Sequence, residues 1–146
     1  MRRALFLSVF LSLALASGLD FSVGVREESG RQFLSSVGLS INAHSLWFRF
    51  GVRFGAPNGV LAEGSVAYLL PTPMLKLYGG GGYALGLTER DSNGGYRFTV
   101  GEVQQPFLFV GLALPDRGYR PYLEAAYYLG EDAFVRYCVG FVMEVF

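Results

Sequence analysis

The stretch Val135-Arg136-Tyr137-Cys138-Val139-Gly140-Phe141-Val142-Met143-Glu144-Val145-Phe146 decides how this chain is read. Its odd positions, Val135, Tyr137, Val139, Phe141, Met143 and Val145, are all apolar. Its even positions, from Arg136 through Cys138 and Gly140 to Glu144, are mostly small or charged. A period of two is the signature of a β-strand, whose successive side chains point to opposite faces. The same alternation recurs through most of the chain.

With 146 residues there is room for one domain. Only 16% of residues are charged against 51% hydrophobic, where a soluble domain carries about 25% charged residues. The chain is therefore poor in charge. Its formal net charge is zero, which gives no reason to expect nucleic acid as a partner. Twenty glycines and nine tyrosines fit a tightly curved sheet with rings at its edges. A single cysteine, Cys138, excludes an intrachain disulfide framework and a cysteine zinc cluster.

The start reads as a targeting segment. Met1-Arg2-Arg3 is a basic n-region and Ala4 to Leu15 an apolar core. Ala14-Leu15-Ala16 and Ala16-Ser17-Gly18 are two small-x-small cleavage sites. The expected division is a signal peptide over residues 1–18 and a mature domain over 19–146. The apolar run is short of the ~20 residues a spanning helix needs. No later run is long enough either, so any membrane crossing must use strands.

Eight strands are expected. Leu19, Phe21, Val23 and Val25 alternate with Asp20, Ser22, Gly24 and Arg26. The second strand runs from about Gln32 to Ile41, and the third sets Leu46, Phe48, Phe50, Val52 and Phe54 against Trp47, Arg49, Gly51 and Arg53. The fourth spans Val60 to Leu70 and stops at Pro71-Thr72-Pro73; the fifth spans Leu75 to Leu87. Tyr96 to Val103 alternates again before Pro106 interrupts; paired with the end of the fifth strand, it would make a taller hairpin. The sixth strand is Phe107 to Leu114. The seventh sets Leu123, Ala125, Tyr127 and Leu129 against Tyr122, Glu124, Ala126 and Tyr128. The stretch from Val135 is the eighth. With the N-terminus periplasmic, the long connection Thr88–Pro106 falls on the outward side, and Asn42–Ser45, Pro71–Pro73 and Pro115–Gly118 are short inner turns.

The minority face carries Asp20, Arg26, Arg49, Arg53, Glu63, Lys76, Glu124, Arg136 and Glu144, with both signs near balance. Enclosed in a narrow lumen these charges can neutralise one another. That face is also rich in Gly, Ser and Ala, and an eight-stranded interior is only just wide enough for side chains. The expectation is therefore bulk outside and charges inside. Arg49 and Arg53 are expected to pair with Glu63 or Asp20, and Glu124 with Arg136. Phe33, Phe54, Tyr83, Tyr127 and Tyr137 would form one aromatic girdle; Phe21, Phe48 and Tyr68 the other. The inverse arrangement, apolar face inward, would be a soluble lipocalin-like periplasmic lipid binder.

The signal segment, the alternating strands and the C-terminal Phe146 resemble the small bacterial outer-membrane barrels of the OmpA/OmpX type. The resemblance implies an all-β, eight-stranded antiparallel up-and-down transmembrane barrel in the outer membrane, with outer-membrane lipids as surroundings. It also implies that Phe146 is read by the barrel assembly machinery. Phe146 departs from that pattern: it is out of phase with Phe141, Met143 and Val145, and Glu144 stands where an apolar residue is usual.

Few residues invite chemistry. His44 beside Ser45 could suggest a hydrolase, but a triad needs its base oriented by a carboxylate, and the pair reads as a polar turn. Gly79, Gly81 and Ala84 match G-x-G-x-x-A, yet a dinucleotide site needs a following helix and the alternation simply continues. No metal-ligand cluster and no cofactor site is expected. The loop Thr88–Pro106, with Arg90, Asp91, Arg97 and Glu102, is the expected surface for an extracellular ligand. The expected function is non-enzymatic: a structural or adhesin-like surface role with the lumen plugged by its charge network. A narrow channel for small solutes is the alternative.

Overall fold

A computed structural model describes residues 17–145, except 28–30, 56–58, 102, 116–117 and 131–132. The segment expected as signal peptide up to Ala16, the turn tip at Glu28–Gly30, Glu102 and Phe146 lie outside the described residues. Ten strands follow in chain order: β1 (Ser17–Glu27), β2 (Arg31–Ala43), β3 (Leu46–Phe54), β4 (Val60–Leu69), β5 (Lys76–Gly86), β6 (Thr88–Arg90), β7 (Tyr96–Phe98), β8 (Gln104–Ala113), β9 (Tyr119–Tyr128) and β10 (Phe134–Glu144). Eight of them close into an antiparallel barrel in the order β1-β10-β9-β8-β5-β4-β3-β2. β1 closes the ring through a ladder to β10, from Gly18 opposite Glu144 to Glu27 opposite Val135.

The period-two faces sort as expected in the strands. Val23, Phe33, Leu39, Phe50, Tyr68, Leu108, Val110, Leu123, Tyr137 and Val139 are exposed on the outer wall. Their in-between neighbours, such as Asp20, Ser40, Trp47, Arg53 and Glu124, are buried in the lumen. A lipocalin-like inversion is thereby ruled out, because the apolar face is the outer one. The largest concavity, about 900 Å³, is likewise on that apolar outer wall, against Val23, Val110, Leu123 and Val139.

Two prolines sit inside strands, which corrects the expectation that Pro106 interrupts. Pro106 lies within β8 opposite Tyr83, and its carbonyl accepts from Leu129 N–H, one residue past the end of β9. Pro121 lies within β9 opposite Phe141, and its carbonyl accepts from Leu114 N–H, just past the end of β8. Each proline therefore aims its missing donor beyond the neighbouring strand's end, where a sheet tolerates it.

The connection between β5 and β8 extends into a further hairpin, as the alternation at Tyr96–Val103 suggested. β6 and β7 pair from Thr88 opposite Phe98 to Arg90 opposite Tyr96. Below them Thr99 N–H donates to Leu87 O and Gly101 N–H to Gly86 O, with Gly101 at φ 86°. Leu87 N–H donates to Val60 O, and Val60 N–H to Thr88 Oγ1, which buttresses the hairpin on β4. At the opposite end His44, at φ 57°, and Ser45 form a two-residue turn between β2 and β3.

Candidate functional site

The lumen is where chemistry-bearing side chains converge. Five of the expected charges form one ion network. Arg53 NH1 lies 3.0 Å from Glu63 Oε1. Arg136 bridges both acids, with NH1 3.2 Å from Glu63 Oε2 and NH2 3.1 Å from Glu124 Oε1. Arg49 NH2 lies 2.6 Å from Glu124 Oε2. Arg49 was expected on Glu63 or Asp20; instead it crosses the lumen from β3 to β9, because Arg53 and Arg136 already occupy both oxygens of Glu63.

Tyrosines complete the acids. Tyr128 OH donates to Glu63 at 2.7 Å, Tyr78 OH to Glu124 at 3.2 Å, and Tyr122 OH to Asp20 at 2.6 Å. Asp20 thus joins the cluster through a phenol, and the charge of Arg49 also acts on it. Buried ions are costly to desolvate, and several partners per acid are what make such burial tolerable. Cys138 is buried with Sγ 3.9 Å from Glu124.

Rings pack above and below the ions. Phe134 stacks on Tyr128 at 4.4 Å and Phe107 on Tyr128 at 4.8 Å. Arg26 caps the upper stack, 3.8 Å over the Phe134 ring. Below, the fully buried Trp47 lies between Arg49 at 4.7 Å and Arg120 at 5.4 Å. Its Nε1 donates to Ser40 Oγ, and Tyr78 and Tyr122 meet it edge-on. Arg120 also donates to Asn42 Oδ1 at 3.0 Å. Lys76 and Glu144 sit at this lower end, apart from the central network; Glu144 attracts both Lys76 and Arg120.

The rings need room, and inward glycines supply it. Tyr78 is directly opposite Gly111, Tyr122 opposite Gly140, Phe107 opposite Gly82 and Phe109 opposite Gly80. A Cβ on Gly140 would lie 2.2 Å from the Tyr122 ring, and one on Gly111 2.3 Å from that of Tyr78. Each ring lies over the bare backbone of its cross-strand partner. The inner face is therefore not simply small: bulk was expected outside only, and one wall of the lumen is aromatic. A polar cavity of about 40 Å³ lies inside, bounded by Asp20, Ser22, Ser36, Arg49, Glu63 and Arg136. At ~10–15 Å³ per water centre that is room for a few waters.

Arg120 was missed by the sequence reading, although it is buried. Parity carried back through Pro121 puts it in phase with Tyr122 and Glu124; treating the strand as starting at Tyr122 hid it. Parity did place Tyr78, Tyr122 and Tyr128 on the inner face, but not their partners.

This is a closed antiparallel barrel with its apolar side chains outside and a charged, ring-packed interior. The fold is that of the small eight-stranded outer-membrane barrels. Neisserial surface protein A matches with a TM-score of 0.64 at 14% identity, over 88% of this chain and 95% of that one. The N-terminal β-barrel domain of OprF from Pseudomonas aeruginosa matches with a TM-score of 0.59 at 13% identity, over 88% and 96%. The outer membrane enzyme PagL matches with a TM-score of 0.51 at 15% identity, over 86% and 99%. No protein-family model matches the sequence, and no curated protein matches it. A surface protein and an enzyme share this barrel, so the fold by itself carries no activity.

Proposed function

We propose that the protein is a non-enzymatic outer-membrane barrel whose closed lumen makes it a rigid mount for the outward β6–β7 hairpin, with a structural or adhesin-like role at the cell surface. The observation that carries this is the filling of the lumen. Every carboxylate of the central cluster meets a partner from a different strand, and rings cap the cluster at both ends. A network of that kind rigidifies, whereas a pore needs a continuous polar path. The outer wall supports membrane insertion: its exposed side chains are apolar, and the backbone ladder closes without an edge. His44 and Ser45 belong to a turn at the end opposite the tall hairpin, which supports the non-enzymatic reading.

The amino-terminal segment is read as a secretion signal over residues 1–18, with the mature chain starting at Leu19. Peptide mass mapping of protein taken from the membrane fraction should find Leu19 as the first residue.

Two measurements test the proposal. Expressed in a Gram-negative host, the protein should fractionate with the outer membrane and migrate differently in SDS before and after boiling. Liposomes containing it should not swell in an isotonic pentose solution. Swelling at the rate of porin-loaded liposomes would replace the closed mount with a channel.

A further inference from the structure

A second cavity lies at the end of the lumen that carries the β6–β7 hairpin. It measures about 10 Å³, and its walls include Arg26, Leu34, Arg53, Leu61, Gln105 and Phe134, each from a different strand. At ~10–15 Å³ per guest centre it admits one single-atom guest and nothing polyatomic.

The polar part of this wall brings donors and no acid. Arg26 and Arg53 are 5% and 2% exposed, and Gln105 is buried as well. Among the described residues no carboxylate lines the cavity. Both guanidiniums lie against one ring, Arg26 at 3.8 Å and Arg53 at 5.9 Å from the Phe134 centroid. The Nε of Arg53 is buried without a hydrogen-bond partner. A buried donor left so is costly unless something fills the space before it.

The ion network explains why positive charge collects at this end. It runs Arg53–Glu63–Arg136–Glu124–Arg49, three arginines on two glutamates. Asp20, the third acid of the cluster, acts on Arg49, at the opposite end of that chain. Arg53 shares Glu63 with Arg136 and lines the cavity together with Arg26. A water in the cavity would satisfy the Arg53 Nε and leave two like charges beside each other. A small anion satisfies the donor and offsets the repulsion.

We propose that this cavity seats one single-atom anion, a halide such as chloride, held by the Arg53 Nε–H and the Arg26 guanidinium with the Gln105 amide beside them. The seat joins β1, β3 and β8, of which no two are neighbours in the barrel, and so fastens this mouth of the lumen across its width. It goes beyond the surface role and does not depend on it.

The test uses the protein purified from outer membranes and returned to lipid vesicles. Urea unfolding is followed as chloride replaces gluconate at fixed ionic strength, so that screening stays constant. An ion bound only to the folded protein raises the folded-to-unfolded ratio about tenfold for each tenfold rise in free chloride above its Kd. The parent should show that slope, and bromide should reproduce it where sulfate does not. Arg53→Gln removes the donor but also takes a cation from Glu63, so it can fail for structural reasons. Gln105→Glu is the deciding variant: it puts a carboxylate into the wall of the seat and should flatten the slope. In crystals grown with bromide, anomalous scattering should place one ion within hydrogen-bond reach of Arg53 Nε. A parent response that stays flat up to about 0.5 M chloride, an equal slope in Gln105→Glu, or bromide crystals with only water at that position would each overturn the seat.

Discussion

The two walls of the lumen are built differently. The wall made by β1 to β4 offers Ser22, Ser36, Ser40 and Ser65 with Gly24, Gly38 and Gly51, and contributes one ring, Trp47, with Arg49, Arg53 and the acid Glu63. The wall made by β5 and β8 to β10 offers Tyr78, Phe107, Phe109, Tyr122, Tyr128 and Phe134, with Glu124 and Arg136. Most of the rings come from the second wall, and Trp47 reaches in from the first. The ion pairs Arg49–Glu124 and Glu63–Arg136 then tie the walls together across the lumen. The packing of the lumen is therefore a property of neither wall alone.

The largest expected effect comes from cutting the tie. Arg136→Met leaves Glu63 and Glu124 each short of a buried cation, at a cost of about 3–5 kcal/mol. Urea unfolding in lipid vesicles should show a clear drop in midpoint; an unchanged midpoint would mean that the walls hold without their ionic link. Next is the seat of a ring. Gly140→Ala puts a methyl group against Tyr122 and should cost about 1–3 kcal/mol by overpacking. Gly95→Ala is its control: a Cβ there meets nothing within 4 Å, so the same assay should stay within about 0.5 kcal/mol of the parent. Equal effects at the two glycines would refute the ring-over-glycine arrangement.

Tyr122→Phe keeps the ring and deletes the donor to Asp20, which should cost about 1–3 kcal/mol. Rescue by the added Asp20→Asn change would show that the loss lies in the stranded carboxylate; no rescue would place it elsewhere. Smaller than either lumen change should be Ser36→Ala on the opposite wall, about 0.5–1.5 kcal/mol for its bond to Ser22. A loss at Ser36 larger than that at Tyr122 would invert the comparison between the walls.

The fold was legible because period two is local. Each strand shows its own faces without knowledge of its neighbours, and hence Asp20, Arg49, Glu63, Glu124 and Arg136 could be put on one face from sequence. Pairing is not local. Arg49 on β3 meets Glu124 on β9 only after the ring has closed and the register is fixed, so Glu63 looked the nearer partner. The rings over glycine were hidden for the same reason: Tyr122 and Gly140 become neighbours only through the β9–β10 register. One proline misled more directly. Pro106 read as an interruption, and only its position past the end of β9 makes it tolerable in β8; Arg120 was lost because the seventh strand was read from Tyr122.

The most direct test of closure is single-channel recording in planar bilayers, on the parent protein beside a variant carrying Tyr122→Ala and Tyr128→Ala. The parent should show no steady openings, and the variant, stripped of two rings from the filled wall, should conduct. Steady conductance by the parent itself would contradict a lumen closed by its rings and ion pairs.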